Sequence, residues 1–429
     1  MRTVCMGLGM VLAIAAVASA KEDGRGDRLR IKDDSILRGS TARPVLAVQQ
    51  TDLCKPGLTD EQLIKTFIRV SEVGGTALCF DLHGFNADAT ALDPKHVETV
   101  IKIKDAANYR WMPTVIRVLG SLQDADDATR LNAIRTTAKT FQDVWSVLYW
   151  IDGPKSEALA EELHKLAPKV LVLSASGGDV QLVTDTDDAF KGKASLLLGA
   201  LPPKDSRTKS CILPDAQESY DALEEFNRQP AEREAWQPST VGLTFEERND
   251  GWISLYDGKS LDGWSIVGDN KKGFESKDGM ISWAANGGRK LQSRDRYDNF
   301  ILRLEWKISA KGANNGIYLR APRANRESKM GFEFQMFGDY GKKPDKNSTG
   351  SVYDVVPPTS NPAKPEGEWN SLEVMLDGPK YKATLNGVVI QDLDFDKNPE
   401  LKFRLRKGFI CISDHGHRAS FRNIRIKKL

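Results

Sequence analysis

The chain has 429 residues, 40% of them hydrophobic and 28% charged, a globular composition that excludes collagen-like, low-complexity and wholly disordered classes. Sixty-one Lys and Arg against 59 Asp and Glu leave a formal charge of +2, so no long-range field draws the protein onto nucleic acid or an anionic membrane surface. The length suits two or three domains.

Met1 and Arg2 precede an apolar stretch from Val4 to Val17 that ends in Ala18-Ser19-Ala20, ahead of Lys21-Glu22-Asp23. A stretch this short does not span a bilayer, so no membrane anchor is expected. Basic start, apolar middle and small-residue cleavage site read as a secretory signal over 1–20, which places the mature protein in the periplasm or outside the cell. Mature protein recovered from its host should begin at or near Lys21, and an intact Met1 on exported material would remove this reading. Loss of the signal takes Cys5 and leaves Cys54, Cys79, Cys211 and Cys411, with no metal-knuckle or C-x-x-C spacing. A Cys54–Cys79 disulfide and small core residues at Cys79 and Cys411 are the two readings of these thiols.

Residues 21–42 are charged and Gly-rich and read as a linker. From 43 to 230, apolar runs (Val45–Val48, Ala77–Leu82, Thr114–Leu119, Val144–Ile151, Val170–Leu173, Ser195–Leu198) alternate with helical patterns near 59–73, 94–108, 125–142, 155–166 and 215–228. This is an α/β domain with a mainly parallel sheet, either open and doubly wound or an incomplete barrel. Six strands, against the eight of a complete barrel, favour the open sheet. A second linker is expected over 231–249, where Trp236-Gln237-Pro238 interrupts the rhythm.

From 250 to 429 the pattern changes to period two. Phe300–Trp306, Gly316–Arg320, Phe332–Met336, Ser371–Leu376 and Tyr381–Leu385 alternate apolar and polar residues, with Asp377-Gly378-Pro379 and Asn386-Gly387 as turns. Such a segment is an antiparallel β-sandwich.

Six motifs stand in order along it: Ile253–Trp264, Asn315–Arg320, Gly331–Gln335, Thr349–Asp354, Gly367–Asn370, and Asp414-His415-Gly416 followed by Phe421–Ile426. Together they resemble the bacterial 3-keto-disaccharide hydrolase family, formerly a domain of unknown function, and imply a concanavalin-A-like jelly-roll sandwich over about 250–429. The resemblance also implies action on an oligosaccharide or glycoside oxidised to a ketone at C3. That carbonyl acidifies the C2 hydrogen, so a base can remove it, the C1 substituent leaves by elimination, and water adds back. The site needs a base, donors for the enolate oxygen and an acid for the leaving group.

Glu333 and Gln335 share one face of a strand, while Phe332, Phe334 and Met336 take the other. Glu333 is the expected base or metal ligand. His415, with Asp414 beside it at a strand end, is the expected acid/base or metal ligand, a divalent cation being the cofactor these residues admit. Gln335, Arg320, Tyr353 and Asp354 are the expected substrate-binding residues, Arg320 on the ground that it shares a face with Tyr318. Ser413 departs from the family pattern, which usually has Gln there, and puts the substrate contact at that position in doubt. Trp264, Trp306 and Trp369 read as packing rather than sugar platforms. In the first domain, Asp81, His83 and Asp152 fall at strand ends and are the candidates for a second site. Two other functions compete: a lectin-like module that binds glycan without cleaving it, and catalysis in the first domain with the sandwich as a targeting module.

Overall fold

A computed structural model of the protein describes residues 29–32, 35–38, 41–42, 44–51, 53–144, 146–183, 194–202, 210–228, 238–267, 272–284 and 290–429. The expected signal at 1–20 and the first part of the expected linker, 231–237, lie outside them. The chain divides into two compact units, Met1–Phe226 and Asn227–Leu429.

The first unit opens with a small antiparallel sheet of β1 (Leu29–Lys32), β2 (Ser35–Arg38) and β3 (Thr41–Ala42), in a segment expected to be all linker. Leu29 and Ile36 are buried there and anchor it. Eight parallel strands follow: β4 (Leu46–Val48), β5 (Leu78–Asp81), β6 (Thr114–Arg117), β7 (Val147–Trp150), β8 (Leu171–Ser174), β9 (Val180–Val183), β10 (Ser195–Leu198) and β11 (Ser210–Leu213). Their order is β4-β11-β10-β9-β8-β7-β6-β5, and the two ends meet where Gln49 pairs with Cys79 and the Gln50 N–H donates to Cys79 O at 2.7 Å. The sheet is therefore a nearly closed barrel rather than an open one. The strands missing from the sequence reading are β9 and β11, four residues each. Between β8 and β9 only residues 175–179 intervene, so no helical pattern marks the crossover.

Helices α1 (Asp60–Glu72), α2 (Pro94–Tyr109), α3 (Asp127–Phe141), α4 (Ser156–Leu166) and α5 (Gln217–Asn227) fall within two residues of the expected ranges. Their starts are set locally: Thr59 and Gln62 form a capping box on α1, Asp93 caps α2 ahead of Pro94, and Asp126 caps α3. All four cysteines described are buried free thiols, so no Cys54–Cys79 disulfide forms. Among the described residues no helix is long and apolar enough to cross a membrane.

The second unit, after the short helix α6 (Phe245–Asn249), is a two-sheet sandwich. Its strands in chain order are β12 (Trp252–Ser254), β13 (Trp264–Val267), β14 (Phe274–Lys277), β15 (Met280–Trp283), β16 (Lys290–Tyr297), β17 (Phe300–Ile308), β18 (Asn314–Ala321), β19 (Phe332–Phe337), β20 (Asn370–Asp377), β21 (Lys380–Leu385), β22 (Val388–Asp394), β23 (Gly408–Ser413) and β24 (Ala419–Lys428), with one-turn helix α7 (Glu327–Met330) before β19. The smaller sheet runs β13-β16-β23-β18-β19 and the larger β14-β15-β24-β17-β20-β21-β22, with β12 also on β24. Ile317, Phe332, Phe334 and Ile412 from the smaller sheet bury against Phe300, Leu302, Val374 and Phe421 from the larger. Each such side chain contributes roughly 1.5–3 kcal/mol by leaving water, which makes the two inner faces the driving element of the fold.

Arg320 does not follow the alternation that put it beside Tyr318. It has φ of 50° at a register shift between Tyr318 and Ala321, and this bulge turns its side chain away from the expected binding face. Fully buried, its guanidinium donates to Asp298 O at 2.9 and 2.6 Å, to Gly378 O at 2.8 Å and to Asn299 Oδ1 at 3.3 Å. It ties two turns of the sandwich together. Arg320→Ala strips these acceptors of a charged donor and should cost about 3 kcal/mol or more, read as a lowered melting temperature of the full chain. A variant as stable as the wild type would return Arg320 to a ligand-facing role.

Candidate active site

The site is built on the outer face of the smaller sheet, and strand register sets its geometry. Across β16, β23, β18 and β19 the pairings Lys290–Ser413 and Gly316–Gln335 align one row of outward residues, Gly316 lying between Ser413 and Gln335 because Ile317 pairs with Ile412. A second row holds Gln292, Cys411, Tyr318 and Glu333. The segment after Thr349 extends both rows past β19: Val352 bridges Phe334, Gln335 N donates to Ser351 O at 3.1 Å, and Tyr353 N to Glu333 O at 3.0 Å. So Ser351 joins the first row and Tyr353 the second.

Glu333 is the unusual member. It is 4% exposed, and among the described residues no hydrogen bond reaches its carboxyl group. Burial pushes its pKa up to about 8, Glu327 pushes the same way, and Arg326 and Lys329 oppose. Its side chain lies over Gly316: a Cβ there would overlap Glu333 Oε1 and stand 2.9 Å from Cδ and Cγ. Glycine at 316 therefore makes the space that the carboxyl group occupies. Around it, burial first and Glu333 next raise the pKa of both Tyr318 and Tyr353, so both phenols stay protonated donors.

The rim is charged but internally paired. Lys290 Nζ lies 2.7 Å from Glu327 Oε1, and Lys329 Nζ lies 2.8 Å from Asp354 Oδ2. Asp414 Oδ1 accepts from Trp283 Nε1 and from Gly416 N, both at 2.8 Å, so this carboxylate shapes the 413–416 turn and holds an indole. His415 stands exposed in that turn, its pKa lowered by the crowding of the surrounding chain against the pull of Asp414 and Glu327. The structure thus brings Glu333, Gln335 and Tyr353 onto one face, ties Asp354 to Lys329, sets Asp414 and His415 on a turn continuing from Ser413, and removes Arg320. No group of three or more His, Cys, Asp or Glu is placed to hold a metal ion among the described residues.

Residues 251–427 match the model of the 3-keto-alpha-glucoside-1,2-lyase-like domain. A 3-keto-disaccharide hydrolase of Bacteroides thetaiotaomicron is 31% identical over 42% of this chain and 79% of its own length. The chain belongs to the 3-keto-alpha-glucoside-1,2-lyase-like family. Two solved Parabacteroides distasonis proteins, classed provisionally as glycosyl hydrolases, are also similar: one is 25% identical over 44% of this chain and 98% of its own, TM-score 0.38. The other is 23% identical over 42% and 99%, TM-score 0.37. Family membership makes this a carbohydrate-active protein, and every match of the family model lies in the sandwich.

Within the family domain, sequence reasoning missed Gly316 as a space-maker, Ser351, Lys290 and Glu327. Lys290 and Ser351 sit in short polar–apolar alternations whose neighbours across the sheet are remote in sequence. Glu327 rides a one-turn helix that carries no periodic signal. The three tryptophans behave as packing: Trp264 and Trp306 are buried, and Trp369 lies against Arg422 at 4.0 Å on the larger sheet. Trp283 at the rim was not singled out.

Outside the family domain, the barrel's strand ends do gather two of their three candidates. Arg117 donates to Asp152 Oδ2 at 2.9 and 2.6 Å and lies 4.0 Å from Asp81 Oδ1, which also accepts from Gln49 Nε2 at 2.8 Å. Asp81 and Asp152 thus converge on one guanidinium that engages both carboxylates. His83, half-buried, instead gives its backbone N–H to the Cys54 thiol.

Proposed function

We propose that the sandwich cleaves 3-keto-glycosides by elimination followed by hydration, with Glu333 as the base. The observation that carries the reading is a buried carboxyl group with no hydrogen bond among the described residues, its pKa near 8, seated over a glycine on a polar face. In its ionised form Glu333 takes the C2 proton, the C2–H electron pair forms the enolate with the C3 oxygen, and collapse of the enolate expels the C1 oxygen of the leaving group. Tyr318 and Tyr353, neutral donors in the same row, are the groups this reading assigns to the enolate oxygen. Protonation of the leaving oxygen falls to one of these phenols or to His415, and water then adds across the new double bond. The family's description as lyase-like agrees with an elimination.

The deciding experiment incubates purified protein with a chemically prepared 3-keto-disaccharide beside the parent sugar and analyses the products. Cleavage of the keto sugar alone is expected. Binding of both sugars with cleavage of neither would transfer the protein to the lectin-like reading. Gly316→Ala provides a positional check, because its methyl group must displace the Glu333 carboxyl group. Turnover should fall about 100-fold, as displacement of a reacting group by an ångström can do. Full turnover would show that the position over Gly316 is not used.

A further inference from the structure

Three polar side chains on the site face are buried without a hydrogen-bond partner among the described residues: Gln335 Oε1, Ser351 Oγ and Ser413 Oγ, at 3%, 0% and 0% exposure. A buried polar atom left unpaired costs about 1–3 kcal/mol, so three on one sheet face are an arrangement that a ligand completes. Register puts all three in a single row, with Gly316 between Ser413 on one side and Gln335 then Ser351 on the other. Glu333's carboxyl group lies over that Gly316. Ser413 to Ser351 crosses three strand spacings, about 14 Å between backbones, which is longer than one sugar ring. The amide nitrogen of Gln335 is already given to Asn314 Oδ1 at 3.1 Å, so its remaining oxygen accepts only and calls for a hydroxyl rather than a carbonyl.

Resting on the proposed reading of Glu333 as the base, we infer that this row is a two-sided hydroxyl-recognition strip. Ser413 binds a hydroxyl of the sugar unit on one side of the scissile bond, and Gln335 with Ser351 binds hydroxyls of the unit on the other. The bond to be broken lies over Gly316, and the keto carbon sits away from Gln335. The strip is thus fitted to a glycoside whose leaving group is itself a sugar.

Calorimetric binding of a 3-keto-disaccharide, its parent disaccharide and a 3-keto methyl glycoside to the full chain tests this, with Ser413→Ala, Ser351→Ala and Gln335→Met as variants. Each loses one neutral hydrogen bond, so Kd for both disaccharides should rise about 3- to 10-fold. For the methyl glycoside, the variants on one side of Gly316 should keep the rise, and those on the other side should show none, because that sugar unit is absent. Melting temperatures should not fall for the serine variants, since each removes an unpaired hydroxyl. If the wild type cleaves the keto sugar while all three variants bind every sugar as it does, the strip is overturned and the base assignment stands. If binding splits by side as described but nothing is cleaved, the strip stands and the elimination reading falls. Equal losses on the disaccharides and the methyl glycoside for every variant would also overturn the two-sided strip.

Discussion

Glu333→Gln should lower turnover of a 3-keto-disaccharide by roughly 100-fold to 10,000-fold with little change in binding, the usual span for loss of a general base. The substitution keeps the length and shape of the side chain over Gly316 and removes its capacity to accept a proton. A C2-deuterated substrate adds a second readout, since proton abstraction that limits the rate is slowed by deuterium in the wild type. Steady-state kinetics on both isotopologues check the result. A variant with full turnover would show that the proton goes elsewhere.

The second large effect is on the response to pH. With a folded-state pKa near 8, Glu333 is mostly protonated at neutrality, so kcat/KM should climb about tenfold per pH unit and level off above about 8. Stability moves oppositely. In the unfolded chain the carboxyl group titrates near 4.3, so between there and about 8 the folded state holds a proton that the unfolded state releases. Stability therefore falls as pH rises through that window, by about 1.4 kcal/mol per unit, and the loss is complete above the folded pKa. Glu333→Gln is free of this loss. Denaturant titrations at pH 6 and pH 9 should show the variant gaining on the wild type by about 2–3 kcal/mol at the higher pH. Parallel pH curves for the two proteins would mean that Glu333 is not a buried, protonated acid in the folded state. The expected pairing, lower activity with higher alkaline stability, is that of a carboxyl group kept in an unfavourable setting for its chemistry.

Much of this protein was legible before folding was considered. Helices α1 to α5 declared themselves through apolar periodicity, a local property, and the structure adds local caps at Thr59, Asp93 and Asp126. The sandwich was legible because a strand with one face in a core must alternate, and Phe332-Glu333-Phe334-Gln335-Met336 does so over its full length. That alternation also pointed Glu333 and Gln335 to one face. Closure of the barrel was not legible, because no helical pattern separates β8 from β9 and the contact that joins the ends, Gln49 with Cys79, leaves no periodic trace. Arg320 was misplaced for a similar reason: one positive-φ residue at a bulge reverses the side-chain direction, and nothing in Tyr318-Leu319-Arg320-Ala321 announces it.

The amino-acid sequence by itself determined the two rhythms of the chain, the family of its second half, and the choice of Glu333 as the acid or base most worth naming. Only the tertiary structure decided that Ser413, Gly316, Gln335 and Ser351 stand side by side and that Glu333 has no hydrogen-bonding partner among the described residues, with its pKa near 8. The tertiary structure also turned Asp414 toward Trp283 and Gly416. Alternation and capping act within a few residues, whereas register across strands and the dielectric around a carboxyl group depend on segments more than a hundred residues apart, as Lys290 and Ser413 are. Those are properties of packing, which a linear pattern does not carry.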